Sequence, residues 1–206
     1  MRLGIFGGSF DPVHNGHVTL ARHAREQAEL DELWFVPTAV QPHKRSGPVA
    51  SDADRLAMLR LAIDVYDGLE VSTVELERGG VSYTVDTLRD LCRQRPEADL
   101  FLIMGADTLR DLPAWHDPVG VLEVVTPLVV ARDGETPDYG VLSLLASPER
   151  IAEIEARAIT MPPQPVSSSE VRRRIAAGEA IDELVPASVR QYVERSRLYQ
   201  SPPDSR

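Results

Sequence analysis

The sequence has little cysteine and no long apolar run. Its 206 residues include one cysteine, Cys92, which excludes an intrachain disulfide and a cysteine-rich zinc site. A single thiol fits a reducing compartment. No apolar stretch reaches the roughly 18 residues that a membrane helix needs, and the opening segment does not resemble a secretory leader. We therefore expect a cytoplasmic protein with no membrane partner.

Positive charge is also scarce in this chain. There are 22 basic and 32 acidic residues, which give a formal net charge of -10. Proteins that bind nucleic acids non-specifically or bind anionic membranes carry the opposite sign, so neither partner is expected. Any anionic ligand must be bound by a local concentration of donors. Lys44 is the only lysine, and composition alone favours chance as the reason.

Apolar runs alternate with helical periodicity along the chain. The pattern predicts helices near 14–30, from residue 51, near 82–95 and near 147–156, with Ser82 and Ser147 as caps, and two C-terminal helices near 168–177 and 186–196. It predicts strands at 2–6, 33–36, 69–74, 100–104, 127–131 and 159–161, and a turn at 77–81. Continuous apolar strands separated by helices indicate the α/β class, with a doubly wound, mostly parallel sheet. We predict one domain over residues 1–199 and a disordered tail at 200–206.

The loop after the first predicted strand contains the strongest motif. It reads Gly7-Gly8-Ser9-Phe10-Asp11-Pro12-Val13-His14-Asn15-Gly16-His17. Paired glycines allow a ligand to approach the backbone, and the two histidines share one face at a helix start. A helix N-terminus attracts anions and disfavours imidazolium, so neutral imidazoles there can donate to phosphate oxygens. The alternatives are a glycine turn with two capping or core histidines, or a metal-binding histidine pair with only Asp11 as a nearby third ligand.

A second anion site is predicted before the penultimate helix. Ser167, Ser168 and Ser169 precede this helix, and Ser167 has capping-box spacing to Glu170. Their amides and hydroxyls can bind an anion, with Arg172 on the first turn. The alternative is an ordinary helix cap beside solvated arginines.

Further segments extend the pattern over nearly the whole chain, to about residue 199. They are Pro42-His43-Lys44, Ser82-Tyr83-Thr84-Val85-Asp86-Thr87-Leu88, Met104-Gly105-Ala106-Asp107, Pro113-Ala114-Trp115-His116, Val166-Ser167-Ser168-Ser169-Glu170-Val171-Arg172, Leu184-Val185-Pro186 and Tyr192-Val193. With the first motif, which resembles that of the nucleotidyltransferase superfamily, they resemble the bacterial nicotinate-nucleotide adenylyltransferases. That family joins nicotinate mononucleotide to the AMP part of ATP and releases deamido-NAD and pyrophosphate. The departure is Val166, where the family usually has isoleucine.

The resemblance implies a Rossmann-like nucleotidyltransferase fold and a set of site residues. The implied catalytic residues are His14, His17, Lys44 and Arg172. The implied ATP site comprises Gly7, Gly8, Ser9, Phe10, His14, His17, Gly105, Asp107, Ser167, Ser168, Ser169 and Arg172. The implied mononucleotide site comprises Lys44, Tyr83, Thr84, Val85, Trp115 and Arg132. In its Pro-His-Lys context, Lys44 is expected to reach the phosphates.

Several of these roles have structural alternatives. Trp115 would stack on the nicotinate ring, or only anchor a short turn. Asp107 would suit a ribose hydroxyl, or cap a helix, and Arg132 would contact phosphate or close the sheet edge. The amides near Thr84 and Val85 would bind the nicotinate carboxylate.

The attacking phosphate oxygen is already anionic, so the chemistry needs positioning and charge stabilisation and no general base. Magnesium is expected to enter with ATP, without a dedicated protein site. Adenylyl transfer to pantetheine phosphate, adenylyl transfer to FMN and a non-catalytic nucleotide sensor are the rival functions. The sequence leaves open the preference for nicotinate over nicotinamide mononucleotide, the formation of a homo-oligomer, and closure of the 38–50 loop on substrate.

Overall fold

The computed structural model describes residues 1–40, 48–132 and 136–200, without the side chain of Arg132. The Pro42-His43-Lys44 motif therefore lies outside the described residues, as do residues 133–135 and 201–206. The predicted roles of Lys44 and of the Arg132 side chain, and the predicted disorder of the tail beyond residue 200, stay predictions.

A six-stranded parallel sheet forms the centre of the fold, in the order β3-β2-β1-β4-β5-β6. The strands are β1 Arg2–Gly8, β2 Glu32–Pro37, β3 Leu69–Val71, β4 Asp99–Gly105, β5 Thr126–Arg132 and β6 Ile159–Met161. The predicted α/β class and parallel sheet are confirmed. Because the chain runs outward from β1 through β2 to β3, and from β4 through β5 to β6, the strand order reverses between β1 and β4. A ligand crevice is expected at the carboxyl ends of these two strands.

Helices flank the sheet. They are α1 Asn15–Gln27, α2 Asp52–Ile63, α3 Val74–Arg78, α4 Thr84–Gln94, α5 Ala106–Asp111, α6 Pro118–Val124, α7 Pro148–Glu155, α8 Ser168–Ala176 and α9 Ala187–Ser196, with short 3₁₀ turns at Leu112–Ala114 and Tyr139–Leu142. In the part of the chain that is described, no helix combines the length and apolarity needed to cross a membrane.

Alternate residues of the central strands enter two different apolar cores. On β1, Phe6 packs in the core that also receives residues of α1, α2, α8 and α9. Leu3 and Ile5 pack in the other core, with Val85 and Leu88 of α4. Burial of both faces explains why the strands appear in the sequence as continuous apolar runs.

The main error of the sequence prediction lies after β3. The predicted strand at 69–74 ends at Val71, where its pairing with β2 stops, and Val74 begins α3. The helix continues to Arg78, so the predicted turn at 77–81 is shorter, with positive φ at Gly79 and Gly80.

The predicted capping residue of α4 is also wrong. Tyr83 is the N-cap, and the preceding Ser82 is buried. Helix α1 ends at Gln27, before the predicted residue 30, and the short helices α5 and α6 were not predicted. At α7 the predicted cap is confirmed, since the Ser147 hydroxyl accepts from the Arg150 amide at 3.3 Å.

Candidate active site

The carboxyl ends of β1 and β4 expose backbone to an open cleft. A Cβ added to Gly7, or to Gly105 at the end of β4, would meet no atom within 4 Å. At Gly8 an added Cβ would lie 3.0 Å from the Phe10 ring. Gly7 and Gly105 therefore leave space for a ligand directly above the point where the strand order reverses.

The two motif histidines lie together at the start of α1. Their rings are stacked with centroids 3.6 Å apart and planes inclined by 21°. The backbone N–H of His14, the N-cap residue, donates to Nδ1 of His17 at 3.2 Å. Because Nδ1 of His17 accepts this bond, the hydrogen-bond network assigns the proton of its neutral ring to Nε2. His17 therefore has one N–H donor left for a ligand.

Both imidazoles are neutral at physiological pH. Burial lowers the pKa of His14 to about 4, and burial followed by the proximity of His14 lowers the pKa of His17 well below its ordinary value. Nδ1 of His14 is buried and has no hydrogen-bond partner within the described residues. The pair can thus supply hydrogen-bond donors to an anion without first taking up a proton.

Helix α8 is fastened to the turn between β1 and α1. The Ser168 hydroxyl donates to the Pro12 carbonyl at 2.9 Å, and Nη1 of Arg172 donates to the Asp11 carbonyl at 2.6 Å. Ser167 caps the helix, since its hydroxyl accepts from the Glu170 amide at 3.2 Å. The first amides of an α-helix have no acceptor within the helix. The N-termini of α1 and α8 therefore present donors side by side.

Gly16 permits this approach of the two helices. A Cβ added there would lie 3.0 Å from Cγ1 of Val166, in the segment that leads into α8, and 3.1 Å from Nδ1 of His14. The glycine of the His-x-Gly-His motif thus has a steric role. Asp11 is fully engaged within the fold, because its buried carboxylate accepts from the amides of Val49 at 2.6 Å and Ala50 at 3.1 Å.

A cavity of about 260 Å³ lies at the carboxyl ends of β1 and β4, beside α4. Trp115 and Thr84 line it, together with the backbone at Gly7, Gly8 and Gly105. Tyr83 is partly exposed, and its ring lies 4.4 Å from that of His116. The Val85 side chain is fully buried in the apolar core, so only its backbone can reach a ligand. The predicted mononucleotide residues Thr84 and Trp115 are therefore brought to one cavity.

The remaining predicted residues lie at neighbouring strand ends. Asp107 is on the first turn of α5, with its side chain 78% exposed and Nη1 of Arg110 at 3.2 Å. Gly105 is the N-cap of this helix, so the alternative reading of Asp107 as the cap is wrong. Arg132 is the last residue of β5, paired with Met161. Among the residues described by the structure, no three His, Cys, Asp or Glu side chains form a group that could hold a metal ion.

Comparison with known proteins identifies the family. A cytidylyltransferase-like family model matches residues 5–174. A Rhodopirellula baltica protein named "Probable nicotinate-nucleotide adenylyltransferase" is 41% identical over 199 residues, covering 96% of this chain and 93% of the relative. A protein of the same name from Bacillus cytotoxicus is 40% identical over 200 residues, covering 97% of this chain and 99% of the relative. The chain belongs to the nicotinate-nucleotide adenylyltransferase family.

Solved structures give the same fold. The Plasmodium falciparum nicotinic acid mononucleotide adenylyltransferase complexed with NaAD matches with a TM-score of 0.73, over 96% of this chain and 97% of that chain. The same Plasmodium enzyme complexed with APC matches with a TM-score of 0.72. At 17% and 16% sequence identity these similarities establish the nucleotidyltransferase fold.

In this member of the nicotinate-nucleotide adenylyltransferase family, sequence reasoning missed Arg55. The side chain is fully buried and ion-paired to Asp52 at 2.6 Å. Its guanidinium donates to the Ser9 carbonyl at 2.7 Å and to the Thr38 carbonyl at 2.8 Å. It thereby joins the turn after β1 to the end of β2. The signal available in the sequence was an arginine in the apolar stripe of α2, four residues before Leu59.

Replacing Arg55 by methionine leaves two partly buried carbonyls and the Asp52 carboxylate without this donor. We expect the free energy of unfolding in urea to fall by about 3 kcal/mol. Arg60→Met, at an exposed position on the same helix, is the matched control and should change it by less than about 0.5 kcal/mol. Equal losses in the two variants would contradict the anchoring role.

The lowered pKa of His14 predicts a pH-dependent stability. The unfolded chain binds this proton near pH 6.5 and the folded chain near pH 4, so stability is lost as the pH falls between these values. Between pH 8 and pH 4, the free energy of unfolding should fall by about 3 kcal/mol more in the wild type than in His14→Asn. Urea unfolding at several pH values measures the difference, and parallel curves for the two proteins would refute a buried neutral His14.

Proposed function

We propose that this chain transfers the adenylyl group of ATP to nicotinate mononucleotide, giving deamido-NAD and pyrophosphate in NAD biosynthesis. The observation that supports this most directly is the pairing of two sites across one cleft. Adjacent helix N-termini with neutral histidines lie on one side, and a cavity with an aromatic wall lies on the other. The two halves fit a polyphosphate and a flat, acidic ring.

The ATP phosphates would bind on the α1 and α8 side. Nε2–H of His17 and the free amides at the start of α8 are the donors, and His14 lies stacked beside them. Arg172, with its side chain 30% exposed, would hold the turn through the Asp11 carbonyl and contact the outer phosphates. Gly7 leaves room for the nucleotide above β1, while Gly105 and Asp107 would face the ribose.

Nicotinate mononucleotide would occupy the cavity beside Trp115. The indole would stack on the nicotinate ring. Helix α4 begins at Thr84, and its first internally bonded amide is that of Asp86, which donates to the Tyr83 carbonyl at 3.1 Å. The amides of Thr84 and Val85 therefore precede the helical bonding pattern and suit the ring carboxylate. Lys44 and Arg132 are proposed to contact the phosphate.

The reaction then follows from alignment. A phosphate oxygen of the mononucleotide attacks the α-phosphorus of ATP, an oxygen–phosphorus bond forms, and the bond to the β-phosphate breaks as pyrophosphate leaves. The nucleophile is already anionic, so no base and no covalent enzyme intermediate are needed. Catalysis would come from holding two anions in line and from donors that stabilise the charge moving onto pyrophosphate. Magnesium would enter with ATP, bound by phosphate oxygens and water.

Incubation with MgATP and candidate acceptors, with pyrophosphate as the readout, tests this assignment. We expect rapid release with nicotinate mononucleotide and much slower release with nicotinamide mononucleotide or pantetheine phosphate. Turnover with pantetheine phosphate alone would overturn the acceptor assignment. ATP binding without turnover on any acceptor would identify a nucleotide sensor.

His17 provides a test of catalysis by a neutral donor. We expect His17→Ala to lower kcat by about 100-fold or more, because a donor to the phosphate charge is lost. His17→Asn retains an N–H donor and should keep more activity. Steady-state pyrophosphate release measures both variants, and equal losses would indicate proton transfer or metal binding at this position.

Trp115 provides a test of the acceptor site. Loss of ring stacking in Trp115→Ala should weaken binding of nicotinate mononucleotide by about tenfold or more, with little effect on MgATP. Trp115→Phe retains an aromatic face and should recover most of the affinity. Titration calorimetry with each nucleotide distinguishes the sites, and a larger loss for ATP would place Trp115 at the adenine.

A further inference from the structure

The C-terminal segment reaches back to the phosphate-binding turn. Beyond α9, the Tyr199 hydroxyl donates to Oδ1 of Asp11 at 2.6 Å, across 188 residues of sequence. Asp11 lies in the turn between β1 and α1, three residues before His14. Tyr199 belongs to none of the sequence motifs that carry the family resemblance, and it is the last residue of the predicted domain.

The Asp11 carboxylate is a junction of several segments. It is 3% exposed and accepts from the amides of Val49 and Ala50, which lead into α2. Arg172 of α8 bonds the Asp11 carbonyl at 2.6 Å and lies 3.9 Å from the carboxylate. Tyr199 adds the C-terminal segment to this junction. Each donor restricts the orientation of the same carboxylate, and with it the backbone of the turn.

Two residues of the C-terminal segment adopt the left-handed backbone conformation. Tyr199 has φ of 60°, and Arg197 has φ of 52°. Non-glycine residues adopt these values at a cost in free energy, so tertiary contacts must hold them. Burial and the adjacent Asp11 raise the pKa of Tyr199 far above its ordinary value. The phenol therefore remains a hydrogen-bond donor throughout the physiological pH range.

We propose that Tyr199 is a positioning residue, whose hydroxyl orients Asp11 and thereby fixes the turn that presents His14 and His17 to the phosphates of ATP. The proposal rests on the proposed function for the identity of the ligand. Tyr199 itself touches no substrate, and it acts only through Asp11. Its loss should disturb the phosphate side of the cleft and spare the cavity beside Trp115.

Tyr192 offers a matched control. It lies on α9, and its hydroxyl donates to Oδ1 of Asp54 in α2 at 2.9 Å. Tyr192→Phe and Tyr199→Phe therefore remove the same group from the same type of bond, a tyrosine hydroxyl on a carboxylate. Only Tyr199 bonds the turn between β1 and α1. A role limited to attachment of the C-terminal helix predicts similar effects for both variants.

The experiment compares kcat, the two KM values, MgATP affinity and thermal stability in these variants. Tyr199→Phe should lower kcat by about tenfold and weaken MgATP binding by a similar factor, while the KM for nicotinate mononucleotide stays within about twofold. Tyr192→Phe should leave kcat, MgATP affinity and the KM for nicotinate mononucleotide near their wild-type values. Its shift in Tm should be similar to that of Tyr199→Phe. Equal kinetic effects in the two variants, or a loss in Tyr199→Phe confined to Tm, would overturn the proposal.

A double-mutant cycle with Asp11→Ala tests the route of the effect. If Tyr199 acts through Asp11, Asp11→Ala combined with Tyr199→Phe should be no slower than Asp11→Ala alone. Additive losses would refute the route. Should the wild type release no pyrophosphate with nicotinate mononucleotide, the proposed function fails. In that case the inference is still tested by comparing the MgATP affinities of Tyr199→Phe and Tyr192→Phe. Weaker binding in Tyr199→Phe alone would support it, and equal affinities would overturn it.

Discussion

The turn between β1 and α1 is held by hydrogen bonds to its own carbonyl oxygens. Arg55 bonds the Ser9 carbonyl, and Ser168 bonds the Pro12 carbonyl. In a trans peptide the C=O and the following N–H point in opposite directions. The amides of Phe10 and Val13 therefore point away from these anchors. Anchoring these carbonyls would keep their partial negative charge away from a phosphate bound at the proposed site, and the proposed arrangement of donors depends on this anchoring.

The histidines of the site fit the charge of the whole chain. With a net charge of -10, the protein repels polyanions at a distance. The proposed phosphate site would use helix N-termini and buried neutral imidazoles, since burial lowers the pKa of His14 to about 4. Because the imidazoles stay neutral, their stacking at 3.6 Å involves no repulsion between two cations. In the proposed site, local donors oriented by the fold would offset the repulsion that the net negative charge exerts on a polyanion at a distance.

The sequence predicted the fold and the candidate site best where a motif of polar residues directly follows an apolar run. Buried parallel strands appear as continuous apolar runs, and the motif residues follow those runs, so the sheet and the strand ends that carry the site could be predicted. Short helices were missed because six or seven residues give no clear periodicity, as in α5 and α6. The contacts of Arg55 with Ser9 and Thr38 could not be predicted. In the sequence, an arginine in a helix looks like a solvent-exposed residue, because the carbonyls that it binds lie in segments distant along the chain.

The two cores of the molecule explain how two nucleotides could meet. Helices α1 and α8 pack in the core on one face of the sheet, and α4 with Trp115 packs in the core on the other. Elements on opposite faces come together only beyond the strand ends, where Gly7 and Gly105 leave open space. A polyphosphate held from one face and a nicotinate ring held from the other would therefore approach each other along this edge. The reversal of strand order between β1 and β4 would thus bring the reacting phosphates together at the open end of the sheet.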